Sequence, residues 1–459
     1  MAKSDLHAMM VSHSAFGHIS PFVQLSNKLS NNRVRISFLT VAGNVSRVKS
    51  LLTPSPNIEV IPLTLPPIEG LPADLQNTAD IKPSDHGLLS NAIDLMEPQI
   101  KSILSDLKPH FIFYDMCLSW VPKLASELGI KPLCFSVFSA VAAAYLTNPA
   151  RPKNPTLEDL KKPPNGFRST SLTSIPTFQA RDLKYVFTSF NGRPTIFDID
   201  VDSINSSAAF FIKSCYEMEG PYLDFTAAQF KIPVFCTGPL VPDPPTGVLE
   251  EKWDTWLSQF PSKSVIFCSF GSETFLSEDQ IRELVLGLDL TGLPFFLVLR
   301  FPAEVDGEAH LKKALPNGLL ERVKSKGVVH IKGWIQQQLI LGHDSVGCYV
   351  NHSGFSSVIE GIVSECQLVF LPFKGDQFLN AKLIAGDMKA GVEVNRRDED
   401  GYFGKEDILE AIKTVMVDID KEPGATIREN NNNWREFLLN KEIQDRFITD
   451  MVEQMKAMT

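Results

Sequence analysis

The sequence has few cysteines, no surplus of positive charge and no apolar run of membrane length, and each shortage removes a class of function. Its seven cysteines, at 117, 134, 215, 236, 268, 348 and 366, are odd in number, lie mostly in apolar runs and form no CxxC pair. That is the pattern of reduced structural thiols rather than a disulfide framework. Basic residues number 44 against 54 acidic ones, a net charge of −10. Neutralising a phosphate backbone needs a basic excess, so nucleic acid is not an expected partner. The longest apolar stretch, 132–146, is shorter than a membrane span and contains Ser136 and Ser139. Residues 1–6 are polar and the strand after them is short, so no signal peptide is expected and the reading is a cytoplasmic protein. No repeat recurs at a short fixed period, and 430–433 is a brief asparagine run in a terminal helical region.

What is present suits two cores. At 459 residues the chain exceeds one ordinary domain, and its 44% hydrophobic and 21% charged residues are the balance of a fully folding protein. The first half alternates β-rich runs with amphipathic segments, the pattern of an α/β fold with parallel sheets. Strands are predicted at 9–13, 34–39, 58–62, 111–115 and 133–137. A helix is predicted over 92–107, where Ile93, Met96, Ile100, Ile103, Leu104 and Leu107 form one apolar stripe. From 149 to 190 the chain is rich in Pro, Lys, Ser and Thr, which predicts long surface loops that select a substrate. Four prolines within 238–247 make a stiff linker. The predicted domains are therefore 1–238 and 251–459, joined by 239–250. In the second, strands are predicted at 264–269, 294–301, 328–331, 347–351, 368–372 and 391–394, and Ser277 should cap a helix over 278–290. Two doubly wound domains imply a cleft between them.

Ligands of doubly wound domains sit beyond the carboxyl ends of the strands. After the strand 347–351 comes His352-Ser353-Gly354-Phe355-Ser356-Ser357 and then a helical pattern. A small, hydroxyl-rich turn opening a helix offers backbone N–H groups and a positive dipole end to a phosphate. By itself a glycine-serine helix start is also a common cap.

The wider spacing is more specific. Trp334, Gln337, His343, His352, Gly354, Ser357, Glu360, Pro372, Asp376, Gln377 and Asn380 follow the order and intervals of the signature segment of plant family-1 UDP-glycosyltransferases, which the chain resembles. The resemblance implies the GT-B architecture, two facing Rossmann-like domains, with a UDP-sugar held mainly by the second. It implies that Trp334 stacks on uracil, Gln337 and Glu360 hold the ribose, His352 and Ser357 hold the diphosphate, and Asp376 with Gln377 grips the sugar hydroxyls. A flat ring suits a base, a carboxylate accepts from two hydroxyls, and donors meet phosphate charge. His343, beside Leu339 and Ile340, reads as structural support. Most members carry Trp and Asn where this chain has Phe355 and Ser356, and Cys where it has Ser353. These exchanges at the sugar-phosphate resemble the branch that adds a sugar to the sugar of a flavonoid glycoside, the anthocyanidin 3-O-glucoside rhamnosyltransferases among them. Gly17-His18-Ile19-Ser20-Pro21 and Phe270-Gly271-Ser272-Glu273 extend that likeness along the chain. UDP-rhamnose is the favoured donor, with UDP-glucose and UDP-xylose as alternatives. The other partner is a small-molecule glycoside, no prosthetic group is implied, and the expected form is a monomer.

Transfer to a hydroxyl needs a base, and histidine titrates in the right range. His18 follows the first strand and a turn, and it matches the family's Gly-His-Ile-Ser-Pro. Asp115 closes the apolar run Phe111-Ile112-Phe113-Tyr114, a poor place for an unpaired charge. In the resembling family an acid there partners the base, fixing its tautomer and stabilising the imidazolium. His13 reads as structural. Ser139 either approaches the donor sugar or caps a helix, and Ser272 reaches the phosphates through hydroxyl or amide. The expected reaction is one inverting displacement without a metal. The Asp198-Ile199-Asp200-Val201-Asp202 run lacks a preceding apolar strand, so it reads as a solvated charge run, and 398–400 reads as a solvated turn. A sugar epimerase or phosphorylase on the same fold would share the phosphate site but needs no His18–Asp115 pair. A non-catalytic sugar-binding descendant would dispense with one of the two.

Overall fold

The β-rich runs become strands of two all-parallel sheets. The computed structural model describes residues 6–72, 76–78, 81, 85–167, 170–190, 192–302 and 305–459. The chain divides into two compact units. In the first, β1 (His7–Val11), β2 (Arg35–Val41), β3 (Ile58–Leu63), β4 (Phe111–Tyr114), β5 (Lys131–Ser136), β6 (Ala209–Ile212) and β7 (Val234–Cys236) run in the order β3-β2-β1-β4-β5-β6-β7. In the second, β8 (Val265–Ser269), β9 (Phe295–Val298), β10 (Gly327–His330), β11 (Val346–Asn351), β12 (Gln367–Phe370) and β13 (Val392–Glu393) run β10-β9-β8-β11-β12-β13. The central strands are buried throughout, as β1 and β4 show. Helices cover both faces, so inner strands read as continuous apolar runs instead of alternating ones. Chain order reverses between β1 and β4 and again between β8 and β11, the points where doubly wound sheets place ligands.

Two strands, β6 and β7, were not anticipated. The predicted helix over 92–107 is two helices, His86–Asp94 and Glu97–Leu107. Pro98 lies in the first turn of the second, where a missing N–H costs nothing, and proline disfavours helical backbone in the residue before it. Ser277 does cap Glu278–Leu290, in a capping box with Gln280.

The units do not follow the expected boundary at both ends. Lys441–Thr459 belongs to the first unit, and Ser169–Asp182 belongs to the second with Val241–Asn440. The helix Lys441–Met458 buries Ile448, Met451, Val452 and Met455 in the core formed by Phe22, Phe113 and Phe211. A Cβ at Gly238 would lie 2.7 Å from the Phe447 ring, so the chain leaving the first sheet is packed directly on this returning helix. Met451 is fully buried. Met451→Ala should therefore cost about 2–5 kcal/mol by urea denaturation, whereas a terminal helix belonging to the other unit would leave the first unit's transition unmoved.

The stretch 149–190 is also less loop-like than expected. Among its described residues are the helices Leu157–Lys161 and Thr177–Leu183. Arg151 is buried and donates to the carbonyl of Tyr145 (3.0 and 3.1 Å), Lys162 (2.9 Å) and Asp159. Arg168 and Ser169 lie outside the described residues.

Candidate active site

In the first unit the chain turns four residues after β1 and enters the helix Phe16–Asn31, which carries His18 as its third residue. Asp115 follows β4, the neighbour of β1. The two meet: His18 Nδ1 lies 2.6 Å from Asp115 Oδ2. The Asp115 side chain is almost fully buried and that of His18 is 21% exposed. Asp115 Oδ2 also accepts from the His13 amide at 3.3 Å. Burial works to raise the Asp115 carboxyl, but the charge and hydrogen bond of His18, with His13, outweigh it and hold it below its usual value. With Nδ1–H directed at a carboxylate, the lone pair on Nε2 is the atom that takes a proton, the arrangement of a general base and its orienting acid. The Phe138 ring stands edge-on to His18 at 5.3 Å, a wall that sequence reading missed.

In the second unit the phosphate-type turn is built as a clamp around His352. Asn351, the last residue of β11, accepts from the Ser353 amide at 2.8 Å. Asn380 donates to the Ser353 carbonyl at 2.9 Å, and Ser353 takes a φ of +66°. A Cβ on Gly271 or Gly354 would lie 2.9 or 2.6 Å from His352 Nε2, so both positions need glycine for the ring to fit. His352 Nδ1 is buried without a hydrogen-bond partner, beside the start of the helix Phe355–Val363. Ser356 and Ser357 lie in that first turn, and Ser272 stands beside Gly271 beyond β8. An orphaned ring nitrogen and a helix amino terminus are what an anionic oxygen would satisfy.

Burial, aided by the charge of Lys374, holds the His352 imidazole down to about 4. The unfolded chain binds this proton near 6.5 and the folded one near 4. Stability is thus unaffected at neutral pH, falls as the pH drops between those values, and levels off below them. The loss is on the order of 2 kcal/mol, discounted for the ring's partial exposure. His352→Gln should flatten that part of the urea-midpoint profile.

Trp334 is 59% exposed, and the Arg300 guanidinium lies 6.0 Å from its ring centre. Gln337 Nε2 donates to Glu360 at 2.8 Å, Gln338 Nε2 does so at 3.1 Å, and Ser269 donates to Gln337 Oε1 at 3.1 Å. The two residues expected at a ribose are thereby joined. Asp376 opens the helix Asp376–Lys382 and accepts from Asn380 at 2.9 Å. Gln377 Oε1 accepts from the amides of Phe373 (3.0 Å) and Lys374 (3.2 Å), so its oxygen shapes the loop and its amide nitrogen is the group left for a ligand. Phe355, expected beside the sugar, is 4% exposed. His343 receives the Ser345 amide, a support role as expected. Lys374 was not singled out from the sequence. It reaches the Glu273 carbonyl at 3.3 Å and the Glu273 carboxylate at 3.5 Å.

The structure also bears on three other readings, and one of them changes. Ser139 is fully buried and caps Ala140–Tyr145, with Glu219 accepting from the next two amides at 3.1 and 2.8 Å; of its two readings, the geometry gives the cap. Asp198–Asp202 is not a solvated run, because it lies on the helix Ile196–Asn205 with Asp200 buried. The Asp198 carboxylate accepts from Thr195 Oγ1 and pairs with Lys153, each at 2.8 Å. Residues 398–400 are an exposed turn as expected, and from it Asp398 accepts from Thr177 Oγ1 at 2.5 Å.

A family model described as "UDP-glucoronosyl and UDP-glucosyl transferase" matches residues 176–423. The chain is 59% identical over 457 residues to an anthocyanidin-3-O-glucoside rhamnosyltransferase of Petunia hybrida, covering 99% of this chain and 96% of that one. It is 37% identical to an anthocyanidin 3-O-glucoside 2''-O-glucosyltransferase of Ipomoea nil, covering 98% and 97%. Among solved structures, Arabidopsis thaliana UGT89C1 complexed with UDP-L-rhamnose matches with a TM-score of 0.76 at 21% identity, covering 99% of this chain and all of that one; this likeness carries the fold, GT-B. No helix among the described residues is long and apolar enough to cross a membrane. With the family model spanning more than half the chain and a relative of that identity along nearly its whole length, the chain belongs to the UDP-glucuronosyl and UDP-glucosyl transferase family and is a UDP-glycosyltransferase.

Proposed function

We propose that this enzyme transfers rhamnose from UDP-rhamnose to a hydroxyl of a flavonoid glycoside, an anthocyanidin 3-O-glucoside first among them, acting as a cytoplasmic monomer. The observation that carries the reading is the 59% identity along almost the whole chain to a relative named for that reaction. The relative named for glucosyl transfer is more distant, at 37%.

The His18–Asp115 hydrogen bond supports a single displacement. His18 Nε2 takes the acceptor proton as the hydroxyl oxygen bonds to the anomeric carbon. The bond from that carbon to the diphosphate oxygen breaks, and UDP leaves with the electron pair, inverting the configuration. Asp115 stabilises the imidazolium. Trp334 stacks on uracil, Gln337 with Glu360 holds the ribose, and Asp376 with the Gln377 amide holds the sugar. His352, Ser357, Ser356 and the helix amino terminus, with Gly354 and Ser272 lining the turn, meet the charge developing on the leaving diphosphate, so no step is assigned to a metal.

The test is competition of UDP-rhamnose, UDP-glucose and UDP-xylose for one anthocyanidin 3-O-glucoside, with products resolved by mass spectrometry. UDP-rhamnose should lead in kcat/KM by at least about tenfold. A preference for another donor, or for the free anthocyanidin as acceptor, would overturn the proposal.

A further inference from the structure

The amides of Phe373, Lys374 and Gly375 lead into the residues read as holding the donor sugar, and each is bound by a side chain. Gln377 Oε1 takes the first two. The third is taken by an acid 193 positions earlier: the Gly375 amide donates to Asp182 Oδ2 at 2.9 Å. Asp182 ends the segment that the second unit draws from the first half of the chain, inside the stretch whose composition predicts substrate selection. That segment follows the sugar loop. Phe178 stands edge-on to Phe378, the neighbour of Gln377, with ring centres 5.8 Å apart. The Arg396 guanidinium lies 4.5 Å from the Phe178 ring centre and donates to the Pro372 carbonyl. The Phe178 amide donates to the Asp398 carbonyl at 3.0 Å. The loop is therefore met at Pro372 through Arg396, at Gly375 directly and at Phe378.

Gly375 takes a φ of +57° and a ψ of −133°, and glycine is the residue with most backbone freedom to lose. The acceptor that fixes its amide thus decides where the next residue, Asp376, stands. Asp182 is partly buried. Burial pushes its carboxyl above the usual value, and the Gly375 amide, followed by the Lys374 charge, opposes that push. A carboxylate in such a place needs a compensating donor, and this amide supplies it. We infer that Asp182 is a positioning residue for the donor sugar: its carboxylate fixes Gly375, and with it the Asp376 carboxylate and the Gln377 amide. A residue from the amino-terminal half of the sequence then takes part in choosing the sugar. UDP itself is assigned to Trp334, Gln337, Glu360 and the turn around His352, so the effect of Asp182 is confined to the part of the donor beyond the diphosphate.

This inference rests on reading Asp376 and Gln377 as the residues that hold the sugar, and its test separates the two. The kinetics with UDP-rhamnose and the inhibition constant of UDP are measured in wild type, Asp182→Ala, Asp182→Asn and Asp376→Ala. Asp182→Ala should lower kcat/KM for UDP-rhamnose by about 10-fold or more. Its UDP inhibition constant should stay within about twofold of wild type, which also shows that the second unit is folded. Asp182→Asn keeps an acceptor oxygen for the amide and should stay within about threefold in both measurements. Hydrogen exchange over residues 372–377, followed by mass spectrometry without ligand, should be faster in Asp182→Ala by about 10-fold. Unchanged exchange, equal losses for UDP-rhamnose and UDP, or a loss in Asp182→Asn as large as in Asp182→Ala would overturn the inference. So would normal donor kinetics in Asp182→Ala beside a loss in Asp376→Ala. Normal donor kinetics in Asp376→Ala would instead remove the sugar-holding reading, and the inference with it.

Discussion

Replacing His18 by alanine is expected to lower kcat by about 10³-fold or more while UDP affinity changes by less than about twofold. The proposed base and its acid belong to the first unit, at the β1–β4 reversal, whereas every residue assigned to UDP belongs to the second. Removing the imidazole also leaves Asp115 buried without the partner that holds its carboxyl down. Some loss of stability should accompany the loss of rate, so the variant's folding must be checked by its urea midpoint. Single-turnover product formation measures the chemical step and calorimetric titration with UDP measures binding. Equal loss in both would remove His18 from the role of base.

Gly271→Ala should give the opposite signature. Its φ of +78° costs an L-residue about 1–2 kcal/mol. Its new Cβ would also sit 2.9 Å from His352 Nε2, closer than any stable contact. The ring must leave the position from which it faces the helix amino terminus. UDP affinity and kcat/KM for the donor should both fall by about 10²-fold, while the acceptor-side His18–Asp115 bond is untouched. Retention of normal UDP affinity in this variant would show that the clamp around His352 does not serve the diphosphate.

The places of the His18–Asp115 pair and of the turn around His352 were legible in the sequence because Asp115 and His352 each lie just after a strand whose apolar run is unmistakable. Phe111 to Tyr114 marks β4 and so places Asp115, and Val346–Asn351 places His352. What supports those residues was not legible. The clamp on His352 depends on a glycine 81 positions earlier, at 271, a contact that only the parallel pairing of β8 with β11 creates. Asp200 was misread because an Asp-x-Asp-x-Asp alternation looks exposed on both sides, whereas on a helix its middle member shares a face with Phe197 and Ile204. β6 and β7 have four and three residues, too short for their alternation to show. The return of the last helix to the first unit was hidden for another reason: its apolar stripe states that it must pack, not against which sheet.

The central claim is an inverting transfer to the sugar of a glycoside, driven by His18 from a UDP-sugar bound in the second unit. The most direct measurement is the NMR spectrum of the product formed from UDP-rhamnose and an anthocyanidin 3-O-glucoside. The account predicts a disaccharide in which rhamnose is joined to a hydroxyl of the existing glucose, with anomeric configuration opposite to that of the donor. Rhamnose attached to the flavonoid ring, or a linkage that retains the donor's configuration, would contradict it.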